Sequence, residues 1–223
     1  MARTRGSVGA ETEKAIRKAA VELIAKHGFE AMTLRDLAEH VGLQPGSIYR
    51  YIATKDQLLV DIMAEHMETL IAAWRAADRP DADPRLRLEG FVDFHIRYHF
   101  QRQKEVVIAN LELRSLTPDA RRACVALRKT YESELRGILE AGTVQGFFTP
   151  TDSGIATNAI ISMLTGVCFW YSPKGKLSAD DIIAIHKRLV LGGLSGTPRG
   201  EAKIIPLARD QEKWPPVFRP ITR

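Results

Sequence analysis

Apolar positions recur every three or four residues along this chain, and no stretch alternates as a half-buried strand would. The pattern predicts an all-α protein. A first helix is expected from about Ala10 to His27, with Ile16, Ala19, Ala20, Leu23 and Ile24 on one face and Lys14, Arg17, Lys18, Glu22 and Lys26 on the other. Gly28 is placed to end it, and Phe29 to fold back as the apolar residue after the cap. Thr33 reads as an N-cap with Asp36 three residues on, opening a short second helix buried through Leu34, Leu37, Ala38 and Val41 and stopped at Gly42. A third helix begins near Gln44 or Pro45, because proline is tolerated in a first turn where its missing N–H would be unpaired anyway. Thr54 with Gln57 predicts a capping box for a long fourth helix over 54–77, whose apolar face includes Leu58, Leu59, Ile62, Met63, Met67, Leu70, Ile71 and Trp74.

The run from Asp78 to Pro84 breaks the pattern and predicts a loop. Beyond it helices are expected near 84–102, 104–115, 118–142, 152–171 and 179–194, the last three introduced by Thr117-Pro118, Thr151-Asp152 and Ser178. Residues 195–223 are rich in proline and basic residues and predict an irregular tail, either loose or draped over the body. The chain thus divides into a basic arm and three-helix head over 1–53, a connecting helix over 54–78, a larger helical body over 79–194 and the tail.

Two short helices joined by Gly42-Leu43 form a helix-turn-helix pattern over about 33–52. In such a motif the second helix enters the major groove of double-stranded DNA. Ile48 and Ile52 would lock that helix to Leu37, Val41 and helix one, leaving Gln44, Pro45, Ser47, Tyr49, Arg50 and Tyr51 facing outward. The set suits DNA: arginine can bond guanine or phosphate, glutamine and serine reach base edges, and tyrosine hydroxyls reach phosphate. Thr33 and Lys55 begin helices on either side, where free backbone N–H groups favour a phosphate, and Arg35 is a further DNA-contact candidate. Arg3 and Arg5 are further candidates for groove or backbone contacts. The competing reading is an αα-hairpin in which Tyr49 or Tyr51 packs against the body.

The helices near 152–171 and 179–194 are apolar nearly all round, so each must be covered on more than one side. A second copy of the chain is the simplest outer cover, the alternative being a wholly internal pair. A twofold dimer would set its recognition helices about 34–36 Å apart and imply a palindromic operator.

Composition narrows the classes. With 45% hydrophobic and 26% charged residues, the chain has the balance of a globular protein. A charge of +5 and a pI near 9.3 fit a polyanionic partner. Cys124 and Cys168, far apart and among helix formers, read as reduced core thiols of a cytoplasmic protein. The N-terminus lacks an apolar signal core, and the most apolar run, Ile155 to Trp170, is interrupted by Thr157, Asn158, Ser162, Thr165 and Gly166, so neither secretion nor a membrane partner is expected.

Residues 10–70 resemble the N-terminal domain of the TetR/AcrR family of bacterial transcriptional regulators, through AKHGFEAMTLRDLAEHVGL and PGSIYRYIATKDQLL. Gly46, Ser47, Ile48, Tyr49, Arg50, Tyr51, Lys55 and Asp56 stand where that family's recognition motif places equivalent types, with Ile52 and Pro45 departing from its frequent Phe and Lys. The resemblance implies that Thr33, Ser47, Tyr49, Tyr51 and Lys55 hold the DNA backbone while Gln44, Pro45 and Arg50 meet bases. It also implies a homodimer joined through four helices. In the body, NLELRSL and FWYSPKGKLS resemble the subgroup that senses CoA thioesters in lipid or sterol catabolism. An acyl-CoA effector would need an apolar slot, for which Phe94, Tyr98, Met163, Val167 and Trp170 are candidates. It would also need cations for its phosphates, for which Arg114, Arg121, Arg122 and Lys174 are candidates. Each of these residues taken singly reads more readily as core packing or a surface ion pair than as a ligand contact, so the candidate is the group.

No nucleophile motif, phosphate loop or cofactor fingerprint is present, so neither an enzyme nor a bound cofactor is expected. His95 and His99 have i, i+4 spacing without a third ligand and read as a surface or pocket pair rather than a metal site. The expected function is a ligand-responsive repressor released from its operator by a small effector. The rivals are an architectural DNA-binding protein without effector and an enzyme with a DNA-localising head.

Overall fold

The computed structural model describes residues 5–150 and 152–195, with side chains from residue 9 onward. The expectations for the tail, Arg3 and the side chain of Arg5 lie outside these residues. Eight α-helices are found among the described residues: α1 (Arg5–His27), α2 (Leu34–His40), α3 (Lys55–Ala77), α4 (Pro84–Phe100), α5 (Gln103–Leu111), α6 (Pro118–Val144), α7 (Ser153–Trp170) and α8 (Ala179–Leu194). Short 3-10 segments cover Pro45–Arg50 and Glu112–Ser115, and no strand occurs among the described residues. The all-α expectation is met.

The boundaries follow capping chemistry. Gly28 and Gly42 adopt φ of +83° and +71°, left-handed conformations that let the chain leave α1 and α2 with little strain. Thr33 and Asp36 form a reciprocal capping box at α2, as do Ser178 and Asp181 at α8. At α3 only half of the expected box forms. Thr54 accepts from the Gln57 backbone, but the Gln57 side chain donates to Asp61 at 2.7 Å instead of turning back. α1 is described from Arg5, five residues before the expected start near Ala10.

Two hydrophobic clusters organise the packing. One gathers Ile16, Ala20, Phe29, Leu37, Ile48 and Leu59 in the head, and the other Trp74, Phe91, Leu135, Leu139, Leu164 and Ile183 in the body. α3 belongs to both: Leu58 to Met63 pack in the head, Met67 to Trp74 in the body. Ile108 and Cys124, from the body's helices, complete the head core. The two units are therefore joined by shared apolar packing as well as by one covalent helix.

Candidate nucleic-acid interface and effector recess

The recognition segment is a six-residue 3-10 helix rather than an α-helix, with Pro45 at its first turn. Ile48 is fully buried and Ile52 nearly so, fastening the segment to α1 and α2 as expected. Gln44, Pro45, Tyr49 and Arg50 are exposed and Ser47 is half-buried, so these five residues form one outward face. Tyr49, at 64% exposure, has no core contact to explain it.

Tyr51 departs from the expected outward set. It is the residue that ends the segment, half-buried against the head core and lining a small recess with Glu13, Arg17 and Asp61. Six residues of 3-10 helix turn it back toward α1 and α3, because the tighter helix places successive side chains about 120° apart.

The flanking candidates are partly engaged within the chain. The Thr33 hydroxyl donates to Asp36 at 2.7 Å, and this contact together with the backbone N–H of Thr33 holds the Asp36 carboxyl below its usual range. Arg35 is exposed and donates to Glu39 at 3.3 Å. Lys55 donates to the Glu30 carbonyl at 3.2 Å while its ammonium lies 4.3 Å from the Phe29 ring centroid. It is pre-positioned at the start of α3, where a phosphate would also meet free backbone N–H groups.

In the body the structure does not bring the predicted effector residues together. Phe94 and Tyr98 line an open groove of about 550 Å3 with Trp74 and Arg87. Arg121 and Arg122 line a different one on α6. Val167 is buried core and Met163 packs against the core's edge. Arg114 and Lys174 are exposed, in neither groove. Trp170 is 60% exposed, stacks on the ring of His186 and lies in neither groove. Periodicity placed Phe94, Tyr98, Arg121, Arg122, Met163, Val167 and Trp170 on helices correctly, but it could not say which faces converge.

What does converge is a polar recess of about 90 Å3, walled by α3, α4, α5, α6 and α7. Its core is His66, His95 and His99, all buried. His95 bonds the Tyr131 hydroxyl through Nδ1 and the Thr165 hydroxyl through Nε2, both at 3.0 Å. His99 donates from Nδ1 to the His95 carbonyl at 2.8 Å, and the two rings stack with centroids 3.8 Å apart. His66 meets the His99 ring edge-on, and its Nδ1 has no partner. The i, i+4 histidines are thus a pocket pair, and no group of three metal-ligating side chains occurs among the described residues.

Burial dominates the electrostatics here. It lowers the His66 pKa to about 4, aided by the charges of Arg102 and Arg128. It lowers His99 to about 3, with His66 adding to the shift, and puts His95 well below its ordinary value. Three neutral imidazoles therefore line the recess at pH 7, offering donors and acceptors without net charge. Arg128 donates to the Ala109 carbonyl at the wall, and Asn110 stands at the rim. Sequence reading missed His66, Tyr131 and Arg128. The available signal was a histidine on the apolar face of α3 between Met63 and Leu70.

Both cysteines are free and buried, and burial pushes the Cys168 thiol up to about 11, so it stays protonated. α7 and α8 leave a wide apolar face uncovered, with Ile155 71%, Phe169 54% and Leu189 57% exposed. α7 has the length and hydropathy of a membrane span, but two faces of one helix pair, one packed inward and one bare, are what a subunit contact requires.

A helix-turn-helix head, a helical body with a polar recess and a bare apolar face together define a DNA-binding regulator. Residues 16–62 match the model of bacterial regulatory proteins of the tetR family, and residues 81–194 that of the tetracyclin repressor-like C-terminal domain. The chain belongs to the tetR family. It is similar to the transcriptional repressor KstR2 of Mycobacterium tuberculosis, 26% identical over 197 residues that cover 87% of this chain and 98% of the relative. A regulatory protein of the tetR family from Rhodococcus RHA1 superposes with a TM-score of 0.79 at 30% identity, covering 83% of this chain and 98% of that one. The structure of AibR in complex with isovaleryl coenzyme A and operator DNA shares the fold, with a TM-score of 0.75 at 24% identity over 80% of this chain and 97% of that one. The protein is a DNA-binding transcriptional regulator and not an enzyme, and such regulators are cytoplasmic and bind operator DNA as dimers.

Proposed function

We propose that this protein is a repressor held on a palindromic operator and released when a small effector, a CoA thioester, enters its body. The observation that carries the effector part is the buried polar recess. An apolar core does not leave a histidine nitrogen unpaired without cost, and a ligand that supplies the missing partner recovers that cost. The thioester chemistry is supported by AibR, which binds isovaleryl coenzyme A on the same fold.

On the operator, Gln44, Pro45 and Arg50 meet bases. Ser47, Tyr49, Lys55, Thr33 and Arg35 meet the backbone, Lys55 exchanging the Glu30 carbonyl for a phosphate. Tyr51 reaches DNA only with its hydroxyl, since its ring is committed to the head core. DNA-bound molecules associate with the nucleoid. Binding of the effector stabilises a head arrangement that fits the operator poorly, and a near-complete switch needs roughly 5.5 kcal/mol of differential affinity.

The test is footprinting of the promoters around the protein's own gene, with and without isovaleryl-CoA and octanoyl-CoA. Palindromic protection that either thioester removes supports the reading. Protection that no thioester changes would favour an architectural role without effector.

A further inference from the structure

His66 is the common wall of two spaces. On one side lies the 90 Å3 recess; on the other an open groove of about 690 Å3 runs between α1 of the head and the turn joining α4 to α5. The ring is 5% exposed, and its Nδ1 lacks a partner, so displacing it breaks no hydrogen bond at that atom.

The groove carries five cations, Lys14, Arg17, Lys18, Arg102 and Lys104, against Glu22, Glu65 and Glu105. Arg17 is already paired with Glu13, Asp61 and Glu65, and Lys104 with Glu22. Lys14, Lys18 and Arg102 form no ion pair among the described residues, and Arg102 lies 3.9 Å over the Tyr98 ring. Three cations that form no ion pair among the described residues thus border one groove, two from the head and one from the body, against a single carboxylate, Glu105, that is likewise unpaired there. An anion of extended shape with several charges is the ligand class such a border attracts.

We propose that a CoA-type thioester spans both spaces, its phosphates along Lys14, Lys18 and Arg102 in the groove, its thioester carbonyl accepting from His66 Nδ1–H, and its acyl end in the recess. This rests on the thioester reading of the effector and adds its place and polarity. The volume of the recess selects a short acyl group. Because α1 belongs to the head and Arg102 to the body, the ligand lies across the junction whose geometry sets the spacing of the two heads. Binding energy spent on Lys14 and Lys18 is energy that depends on head position.

The experiment is titration calorimetry of the dimer without DNA, using isovaleryl-CoA and its N-acetylcysteamine thioester, which keeps the acyl and thioester but has no phosphates. Lys14→Ala/Lys18→Ala and Arg102→Ala should each weaken isovaleryl-CoA at least tenfold and reduce its salt dependence, while leaving the truncated thioester unchanged. His66→Phe should weaken both ligands. Unchanged thermal midpoints for the lysine variants, whose side chains are exposed, separate loss of binding from loss of fold. If the wild-type protein binds isovaleryl-CoA and the lysine and arginine variants bind it equally well, this site is overturned while the effector reading stands. If the wild-type protein does not bind isovaleryl-CoA, this site falls, and the effector reading falls with it when no thioester removes the operator protection.

Discussion

The Glu112 carboxylate accepts a hydrogen bond from the backbone N–H of Phe29 at 3.1 Å, with both residues buried at the junction of body and head. Its other oxygen accepts from the Ser115 hydroxyl at 2.8 Å. Phe29 follows Gly28, whose left-handed conformation aims this N–H out of α1. Glu112 stands two residues after Asn110, which lines the recess, so the segment NLELRSL runs from the recess to the head. Glu112→Ala should destabilise the protein by about 1–3 kcal/mol in urea denaturation, the cost of a buried N–H left unpaired. Glu112→Gln, which keeps an acceptor, should restore most of that loss. The alanine variant should also bind effector normally yet release operator less completely in a gel-shift titration.

The proposed recognition face should divide by role. Arg50→Ala should relax base preference at one operator position by about 1–3 kcal/mol of discrimination, read from binding to a set of point-substituted operators. Lys55→Ala should weaken every sequence alike and reduce the salt slope by about 1. Equal profiles for the two variants would contradict this division.

Acid should destabilise the protein through the histidine cluster. The folded-state pKa values of His66 and His99, about 4 and about 3, lie below the ordinary value of 6.5, and His95 is depressed as well. Below pH 6.5 the unfolded chain therefore binds protons that the folded chain refuses. Stability falls as pH drops from 6.5 toward 3, by up to about 1.4 kcal/mol per pH unit for each histidine, and is flat in this contribution above 6.5. Denaturation midpoints measured from pH 7.5 to 4.5 check the slope, and His99→Phe should make it shallower.

Gly142 on α6 is in contact with the ring of Phe148, which is 2% exposed, and a Cβ at Gly142 would overlap that ring. Gly142→Ala should cost about 1–3 kcal/mol by overpacking, despite alanine's better helix propensity. A raised thermal midpoint would show that Phe148 can move aside.

The bare face of α7 and α8 should fail with a single charge. Leu189→Asp, at a position 57% exposed in the isolated chain, should shift the protein from dimer to monomer in sedimentation experiments. Operator affinity should fall with it, since both half-sites would then be bound independently.

The sequence alone determined the helices, most of their caps and the burial of Ile48 and Ile52 in the third segment of the head. Those features depend on neighbours within one or two turns: Gly28 and Gly42 end helices through their own backbone freedom, Thr33 meets Asp36 three residues away, and Ile48 must be buried whatever the partner. Tertiary structure alone decided the inward turn of Tyr51, the exposure of Trp170, and the meeting of His66, His95, His99, Tyr131 and Thr165 in one recess. These last residues come from four helices spread over most of the body. Helical periodicity fixes which residues share a face, but the angle at which two faces meet is settled only by packing, and that angle placed an unpaired imidazole between a recess and a cationic groove.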